Sequence, residues 1–396
     1  MNNKFEVDSL CYDLVTWLNK KKSIIFKLNN ECTQDTEYSI KIDFQFINQY
    51  LLSYSKNNSH FFNSQLKPKG KVILVLSFNE PLVTAIVPVL NALVAGNEVV
   101  VRPSRRGTRI FDYIWKESGV CQKYGGNLKT MSGGGPEVLE KELMCAQALY
   151  FFGGHKNAKT VFLLCSKNFV EFYPEIEAAD FKVVKISNLS NFDMDQDIET
   201  SLTEAFTHTG QSCQRIQGIF VHDSNHEEYS KRILKRFNQL VLSKRIERYI
   251  SPNFNFDETM VQQLNVDMSK AAPTKLIRAN NKFGFPVLVL NPNPKSVFVQ
   301  SAYFLPVIWV TRYSTEEELF DNISSRPYHL GVNIQSDEDK FIQKLIRKTN
   351  FTRYTVNTDH SRVRPNEGWG GSWPTGYSGN KSWLELFSYP YQIVTQ

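Results

Sequence analysis

A strand, a buried helix and a second strand follow one another between Lys71 and Val101, and no other stretch constrains the fold as tightly. The run from Lys71 to Leu76 is apolar after its first residue, the pattern of a strand covered on both faces. Pro81 through Ala95 reads as a buried helix, with Gly96 and Asn97 as stop signals. Glu98 to Val101 is a second buried strand, ended by Pro103. A strand–helix–strand unit of about thirty residues is a right-handed crossover between parallel strands. Apolar runs at Ala148 to Phe152 and at Lys182 to Ile186 are expected to extend the same sheet.

After about residue 205 the pattern restarts. A helix over Asp195 to Phe206 leads into Gly210-Gln211-Ser212-Cys213, and Ile219-Phe220-Val221 reads as a strand. Pro286 to Leu290, Pro306 to Val310 and Gly331 to Ile334 are further strands, with helices over Thr315 to Ile323 and Asp337 to Lys348 between them. At 396 residues the chain has room for two or three domains at about 150 residues each. The expected fold class is α/β, as two tightly associated sheet domains.

Composition narrows the function by exclusion. Hydrophobic residues make up 41% of the chain and aromatics 13%, enough for sizeable cores and too much for wholesale disorder. A net charge of +6 spread over the whole length lacks the concentrated basic face of a nucleic-acid binder. The six cysteines form no CxxC pair and have no histidine cluster at zinc spacing, so no structural metal is expected. Scattered cysteines in a long chain are expected as reduced thiols in a cytoplasmic setting. The longest apolar stretch, Pro81 to Val101, is interrupted by Asn91, Gly96, Asn97 and Glu98. It falls short of the ~20 apolar residues of a membrane span.

Chemistry is most concentrated in His208-Thr209-Gly210-Gln211-Ser212-Cys213-Gln214-Arg215. A cysteine just after a Gly-Gln turn, between a helix and a strand, sits where a sheet edge meets a cleft. Its thiolate can attack a carbonyl carbon and hold the acyl group as a thioester. The plainer reading is a buried structural cysteine.

Other segments arrive in a recognisable order, and residues 66–396 resemble the aldehyde dehydrogenase superfamily. Ser77-Phe78-Asn79-Glu80-Pro81 is similar to P-W-N-x-P, and Ala92 through Ser104 to the A-L-A-x-G-N-x-V-V-x-K-P-S stretch. Phe151-Phe152-Gly153-Gly154 resembles F-T-G-S, Gly210-Gln211-Ser212-Cys213 resembles G-Q-x-C, and Phe304-Leu305-Pro306-Val307 resembles F-G-P-V. Trp369-Gly370-Gly371 through Thr375-Gly376 resembles the late F-G-G-x-x-x-S-G. The resemblance implies Cys213 as nucleophile and Asn79 as oxyanion donor. It implies Arg102, Ser104, Arg105, Gly153, Gly154 and Phe304 around a nicotinamide cofactor. It also implies an N-terminal helical or irregular region (1–65), an NAD(P)-binding domain (66–204), a catalytic domain (205–360) and a C-terminal return with an oligomerisation arm (361–396).

Three departures shape the detailed expectation. The E-L-G-G-K string with the family's catalytic glutamate is absent, and Glu175 is its best counterpart, with Glu177 as rival. The glutamate that precedes F-G-P-V and holds the nicotinamide ribose is replaced by Ala302. Arg105 stands where an acid often holds a bare ribose hydroxyl, so a 2′-phosphate and hence NADPH is expected over NADH; the alternative is a solvated basic turn. The altered Glu175 region, Arg102-Pro103-Ser104 and Trp369-Gly370-Gly371 look most like the LuxC-type fatty acyl reductases. That likeness implies reduction of an activated, long-chain acyl thioester, carried by coenzyme A or an acyl carrier protein, to an aldehyde. A homo-oligomer, or a complex with an acyl-transfer partner, is the expected assembly. The alternatives are oxidation of an aldehyde to an acid, and a degenerate member serving as a scaffold.

Overall fold

The computed structural model describes residues 4–392 except 64–65, 132–134, 177, 282–283, 325, 327–328, 362–366 and 378–380. The chain divides into two compact units. One comprises residues 1–176, 364–369 and 376–396, the other residues 177–363 and 370–375.

The strands, in chain order, are β1 (Leu66–Pro68), β2 (Lys71–Val75), β3 (Glu98–Arg102), β4 (Leu128–Thr130), β5 (Ala148–Gly153) and β6 (Glu171–Ile176) in the first unit. The second unit holds β7 (Phe181–Lys185), β8 (Gly218–His222), β9 (Lys275–Arg278), β10 (Val287–Leu290), β11 (Val307–Tyr313), β12 (Val332–Ser336) and β13 (Tyr354–Val356). β14 (Ser388–Pro390) returns to the first unit.

The first sheet has the order β4-β3-β2-β5-β6, parallel throughout. Its order reverses between β2 and β5, so a crevice opens beyond their carboxyl ends, the place where sheets of this kind hold ligands. The crossover helix Pro81–Val94 is buried at every position. The N-terminal helices explain why. Helices Lys4–Lys20, Lys22–Thr33 and Glu37–Leu52 belong to this unit, and Asn91 in the buried helix is tied to two tyrosines from the same N-terminal region. Tyr54 donates to Asn91 at 2.8 Å, and the Asn91 amide donates to Tyr50 at 2.5 Å. The described N-terminal helices therefore contribute to the first unit's core.

The second sheet has the order β13-β12-β7-β8-β11-β10-β9, parallel except for β9 against β10. One expectation is corrected here. The run at Lys182 to Ile186 does not extend the first sheet; it forms β7, between β12 and β8. β7 accordingly belongs to the second compact unit. Periodicity could not have assigned β7, because a buried parallel strand looks alike in either sheet. The C-terminal segment is also used internally: β14 pairs antiparallel with β1.

Candidate active site

In the first unit, β2 gives way to the Ser77–Glu80 turn before helix Pro81–Val94. Asn79 is buried in that turn. Its neighbours are clamped from several sides. The Phe78 carbonyl accepts the Cys32 thiol at 3.6 Å, the Arg106 guanidinium lies 4.9 Å from the Phe78 ring centre, and the Thr84 hydroxyl donates to the Glu80 carbonyl at 3.0 Å. These contacts fix the backbone on both sides of Asn79.

The turn after β3 carries Arg102, Ser104 and Arg105. The Ser104 hydroxyl accepts the Gly107 N–H at 3.0 Å, and the Ser104 carbonyl accepts the Thr108 hydroxyl at 3.1 Å. A Cβ on Gly107 would stand 2.8 Å from the Ser104 Oγ, so glycine is what lets this turn close. Arg102 and Ser104 are half-buried, whereas Arg105 is exposed. Arg106 is exposed as well, while its guanidinium also lies over the Phe78 ring.

β5 ends at Gly153, and Gly154 precedes helix His155–Lys167 in extended geometry, with no side chain capping the first turn. The first N–H groups of a helix lack intrahelical acceptors and favour a negative charge. An uncapped helix start beside the reversal of a parallel sheet suits an anionic group such as a dinucleotide pyrophosphate. A Cβ on Gly153 would lie 3.0 Å from the Phe151 ring, so a larger residue would crowd that approach.

Glu175 is the penultimate residue of β6, opposite Phe152 of β5, and it is buried. Its rival Glu177 lies outside the described residues.

In the second unit the cysteine loop is built by three successive left-handed residues. His208 (φ 56°), Thr209 (φ 54°) and Gly210 (φ 76°) reverse the chain after helix Met194–Phe206. Thr209 N–H donates to the Tyr249 carbonyl at 3.1 Å, and Ser251 N–H donates to the Thr209 hydroxyl at 3.3 Å. A Cβ on Gly210 would come within 2.6 Å of Leu305 C and Pro306 N. The segment Phe304-Leu305-Pro306-Val307 is therefore a wall against which the Cys213 loop is formed.

Arg215 and Gln217 fasten that wall. Arg215 is fully buried and donates to the Val307 carbonyl at 3.0 Å, to the Tyr303 carbonyl, and to the Gln217 side-chain oxygen at 3.0 Å. Burial pulls its guanidinium pKa down to about 9. Gln217 donates to the Ser301 carbonyl at 2.6 Å and accepts the Tyr303 N–H at 2.8 Å. These bonds bracket Ala302 and leave Phe304 half-buried. Sequence reasoning gave neither Arg215 nor Gln217 a role. The available signal was two large polar residues entering a strand whose neighbours are all apolar.

Cys213 is half-buried. Cys11, Cys32, Cys121 and Cys165 are buried. Burial raises all four thiols, Cys32 and Cys165 to about 12, which removes their thiolates at neutral pH. Only Cys145 is more exposed than Cys213.

The late glycines are also explained within the second unit. Gly370 (φ 92°) would place a Cβ 3.0 Å from the Leu330 carbonyl, and Gly371 N–H donates to that same oxygen at 3.0 Å. Leu330 and Gly331 N–H both donate to buried Asp180, which also meets His360 at 2.9 Å. The expected motif glycines thus close on a carboxylate that the motif does not include.

The aldehyde dehydrogenase family profile matches residues 31–392. A D-glyceraldehyde dehydrogenase (NADP(+)) of Picrophilus torridus is 21% identical over 304 residues, 73% of this chain and 61% of that protein. The chain thus spans about three fifths of that relative's length. Mouse aldehyde dehydrogenase, dimeric NADP-preferring, is 23% identical over 330 residues, 82% of this chain and 71% of that protein. Among solved structures, the substrate-bound Staphylococcus aureus AldH superposes with a TM-score of 0.78 at 17% identity, covering 98% of this chain and 88% of that one. A likeness at that identity speaks for the fold.

These relatives overturn the expectation of a LuxC-type acyl-thioester reductase, and with it the long-chain acyl thioester and acyl-transfer partner. Their names are those of dehydrogenases of free aldehydes. The features behind the earlier expectation are Arg102-Pro103-Ser104, the Glu175 segment and Trp369-Gly370-Gly371. They serve turn closure, strand termination and backbone approach, which are demands of the fold and carry no information about reaction direction. Among the described residues no helix is long and apolar enough to cross a membrane.

Proposed function

The chain belongs to the aldehyde dehydrogenase family, with its Rossmann-like NAD(P)-binding and α/β catalytic domains, and we propose that it oxidises a free aldehyde to the acid through a covalent intermediate on Cys213. The observation that carries this reading is the cysteine loop. Its left-handed turn is locked against Leu305 and Pro306, and Cys213 stays partly open while four other thiols are buried.

In this reading the Cys213 thiolate adds to the aldehyde carbon, and the Asn79 amide donates to the oxygen that gains charge. Such a donor contributes about 3 kcal/mol to the transition state. The nicotinamide cofactor, when bound, supplies the hydride acceptor. Glu175 takes a proton from the water that releases the acid and returns the thiol. Arg102, Ser104, Gly153, Gly154 and Phe304 line the cofactor's path. Exposed Arg105 favours the 2′-phosphate, so NADP+ is the preferred oxidant, a preference that the names of the archaeal and mouse relatives share. Small polar aldehydes form the first substrate class to test, because D-glyceraldehyde, sulfoacetaldehyde and betaine aldehyde stand in the names of relatives.

The test is reduced-nicotinamide formation by the purified chain with those three aldehydes and either NADP+ or NAD+. Turnover with at least one of them, lost in Cys213→Ala, supports the proposal. Turnover that survives Cys213→Ala refutes the covalent role.

A further inference from the structure

Tyr303 is held at its N–H, its carbonyl and its hydroxyl. The N–H donates to the Gln217 side-chain oxygen at 2.8 Å, the carbonyl accepts the Arg215 guanidinium, and the hydroxyl donates to Asp267 at 2.7 Å. Asp267 is buried on helix Glu258–Lys270, where the Gln263 amide donates to its two oxygens at 3.0 and 2.9 Å. The Tyr303 ring packs on Phe298, 5.9 Å between centres. A residue tied at its backbone and at the tip of its side chain has little room to shift.

Arg215 does more than hold Tyr303. The same guanidinium reaches the Val307 carbonyl at 3.0 Å, so it bridges the two ends of the stretch Phe304-Leu305-Pro306. It meets neutral oxygens, these two carbonyls and the Gln217 amide oxygen at 3.0 Å. Taking a cation out of water to meet neutral acceptors costs more than burying an apolar side chain, so the arginine's retention calls for an explanation. Its planar fork supplies one, because it can span two carbonyls in fixed directions where a single ammonium cannot.

The bridged stretch is the one against which Gly210 is set. A Cβ there would stand 2.6 Å from Leu305 C and Pro306 N, and 2.7 Å from the Leu305 oxygen. The Cys213 loop and its wall thus meet backbone to backbone. A shift of the Leu305–Pro306 peptide is passed to the loop, since no flexible side chain lies between them to absorb it.

We infer that Arg215 is a positioning residue for Cys213, acting through Tyr303 and the Leu305–Pro306 peptide. Its bearing on catalysis rests on Cys213 being the nucleophile of the proposed reaction. Arg215→Lys keeps a cation and gives up the planar bridge; Tyr303→Phe keeps the ring and drops the bond to Asp267. In either variant the wall loosens, and Cys213 leaves the place that suits attack while becoming easier to reach from solvent. A thiol that ionises less would slow both alkylation and turnover, whereas a misplaced one drives the two apart.

The test reads two rates in the full chain at neutral pH, for the parent, Arg215→Lys, Tyr303→Phe and Tyr229→Phe. Tyr229→Phe loses a buried hydroxyl bond in the same unit, to Asp197 at 2.8 Å, and touches neither end of the bridge. The first rate is alkylation of Cys213 by iodoacetamide, followed by peptide mapping, which needs no turnover. It is expected to rise about threefold or more in Arg215→Lys, less in Tyr303→Phe, and not in Tyr229→Phe. The second is kcat for D-glyceraldehyde with NADP+, expected to fall about tenfold or more in Arg215→Lys. An alkylation rate that is unchanged or lower in Arg215→Lys, or that Tyr229→Phe raises equally, overturns the inference. If alkylation rises in Arg215→Lys and kcat holds, the positioning role stands and the covalent role of Cys213 fails. Should Arg215→Lys not fold, Tyr303→Phe is judged by the same outcomes.

Discussion

Gly210 and Pro306 approach so closely that a methyl group on the first would stand 2.6 Å from the nitrogen of the second. They come from segments almost a hundred residues apart, and their contact sets where the Cys213 loop can lie. The obstacle is backbone on both sides of the Leu305–Pro306 peptide, which cannot swing away as a flexible side chain would. Gly210→Ala also meets the left-handed backbone at φ 76°. The substitution is expected to destabilise the chain by about 2–4 kcal/mol. An unaltered urea midpoint for this variant contradicts the contact.

In the proposed reading Arg105 carries the cofactor preference. Arg105→Ser is expected to raise the KM for NADP+ about tenfold or more, the loss of a charge-assisted hydrogen bond, and to leave the KM for NAD+ nearly unchanged. Equal changes for the two cofactors reduce Arg105 to a solvated basic turn.

Thiol reactivity discriminates among the cysteines. With iodoacetamide at neutral pH in the native chain, alkylation is expected at Cys213 and exposed Cys145, with Cys11, Cys32, Cys121 and Cys165 protected by burial. Peptide mapping reads this directly. Rapid labelling of Cys32 or Cys165 under native conditions is incompatible with thiols pushed to about 12.

Glu171 makes acid stability depend on the pair it forms with Lys69. Burial acts to raise its carboxyl pKa, but the hydrogen bonds from Lys69, Tyr173 and Tyr389 outweigh that and hold it below the ordinary 4.5. A depressed folded value means that the contribution is complete above about 4.5 and disappears as pH falls through the lower, folded value. Glu171→Gln is therefore expected to be less stable than the parent at neutral pH, with the difference narrowing below pH 4.5. A difference that is constant with pH contradicts the linkage.

The sheet strands with continuous apolar runs were legible from sequence: β2, β3, β5, β8, β10, β11 and β12 each appear where hydrophobic runs stand between turn residues. Strand ownership was not. β7 is as apolar as β5, and only pairing with β8 and β12 assigns it to the second sheet. The half-exposed edge strand β6 went unread, because Glu171-Phe172-Tyr173-Pro174 has no clean alternation and contains a proline that suits an edge. In the site, motif order led to Cys213, Asn79 and the Gly153-Gly154 turn, since backbone approach and turn geometry demand particular residue types at fixed spacings. Arg215, Gln217, Asp180 and His360 were invisible for the opposite reason. Their partners are backbone groups and side chains far along the chain, as when Asp180 meets His360 at 2.9 Å, and no local pattern announces such a bond. The direction of the reaction was misread because the departures that suggested it are features of turns and strand ends.

The most direct measurement of the central claim is the mass of the intact chain after mixing with D-glyceraldehyde and NADP+ and quenching in acid. The account predicts a transient adduct of the glyceroyl mass on Cys213, formed together with reduced nicotinamide and abolished in Cys213→Ala. Reduced nicotinamide formed at the same rate by Cys213→Ala, with no adduct on the parent chain, would contradict it.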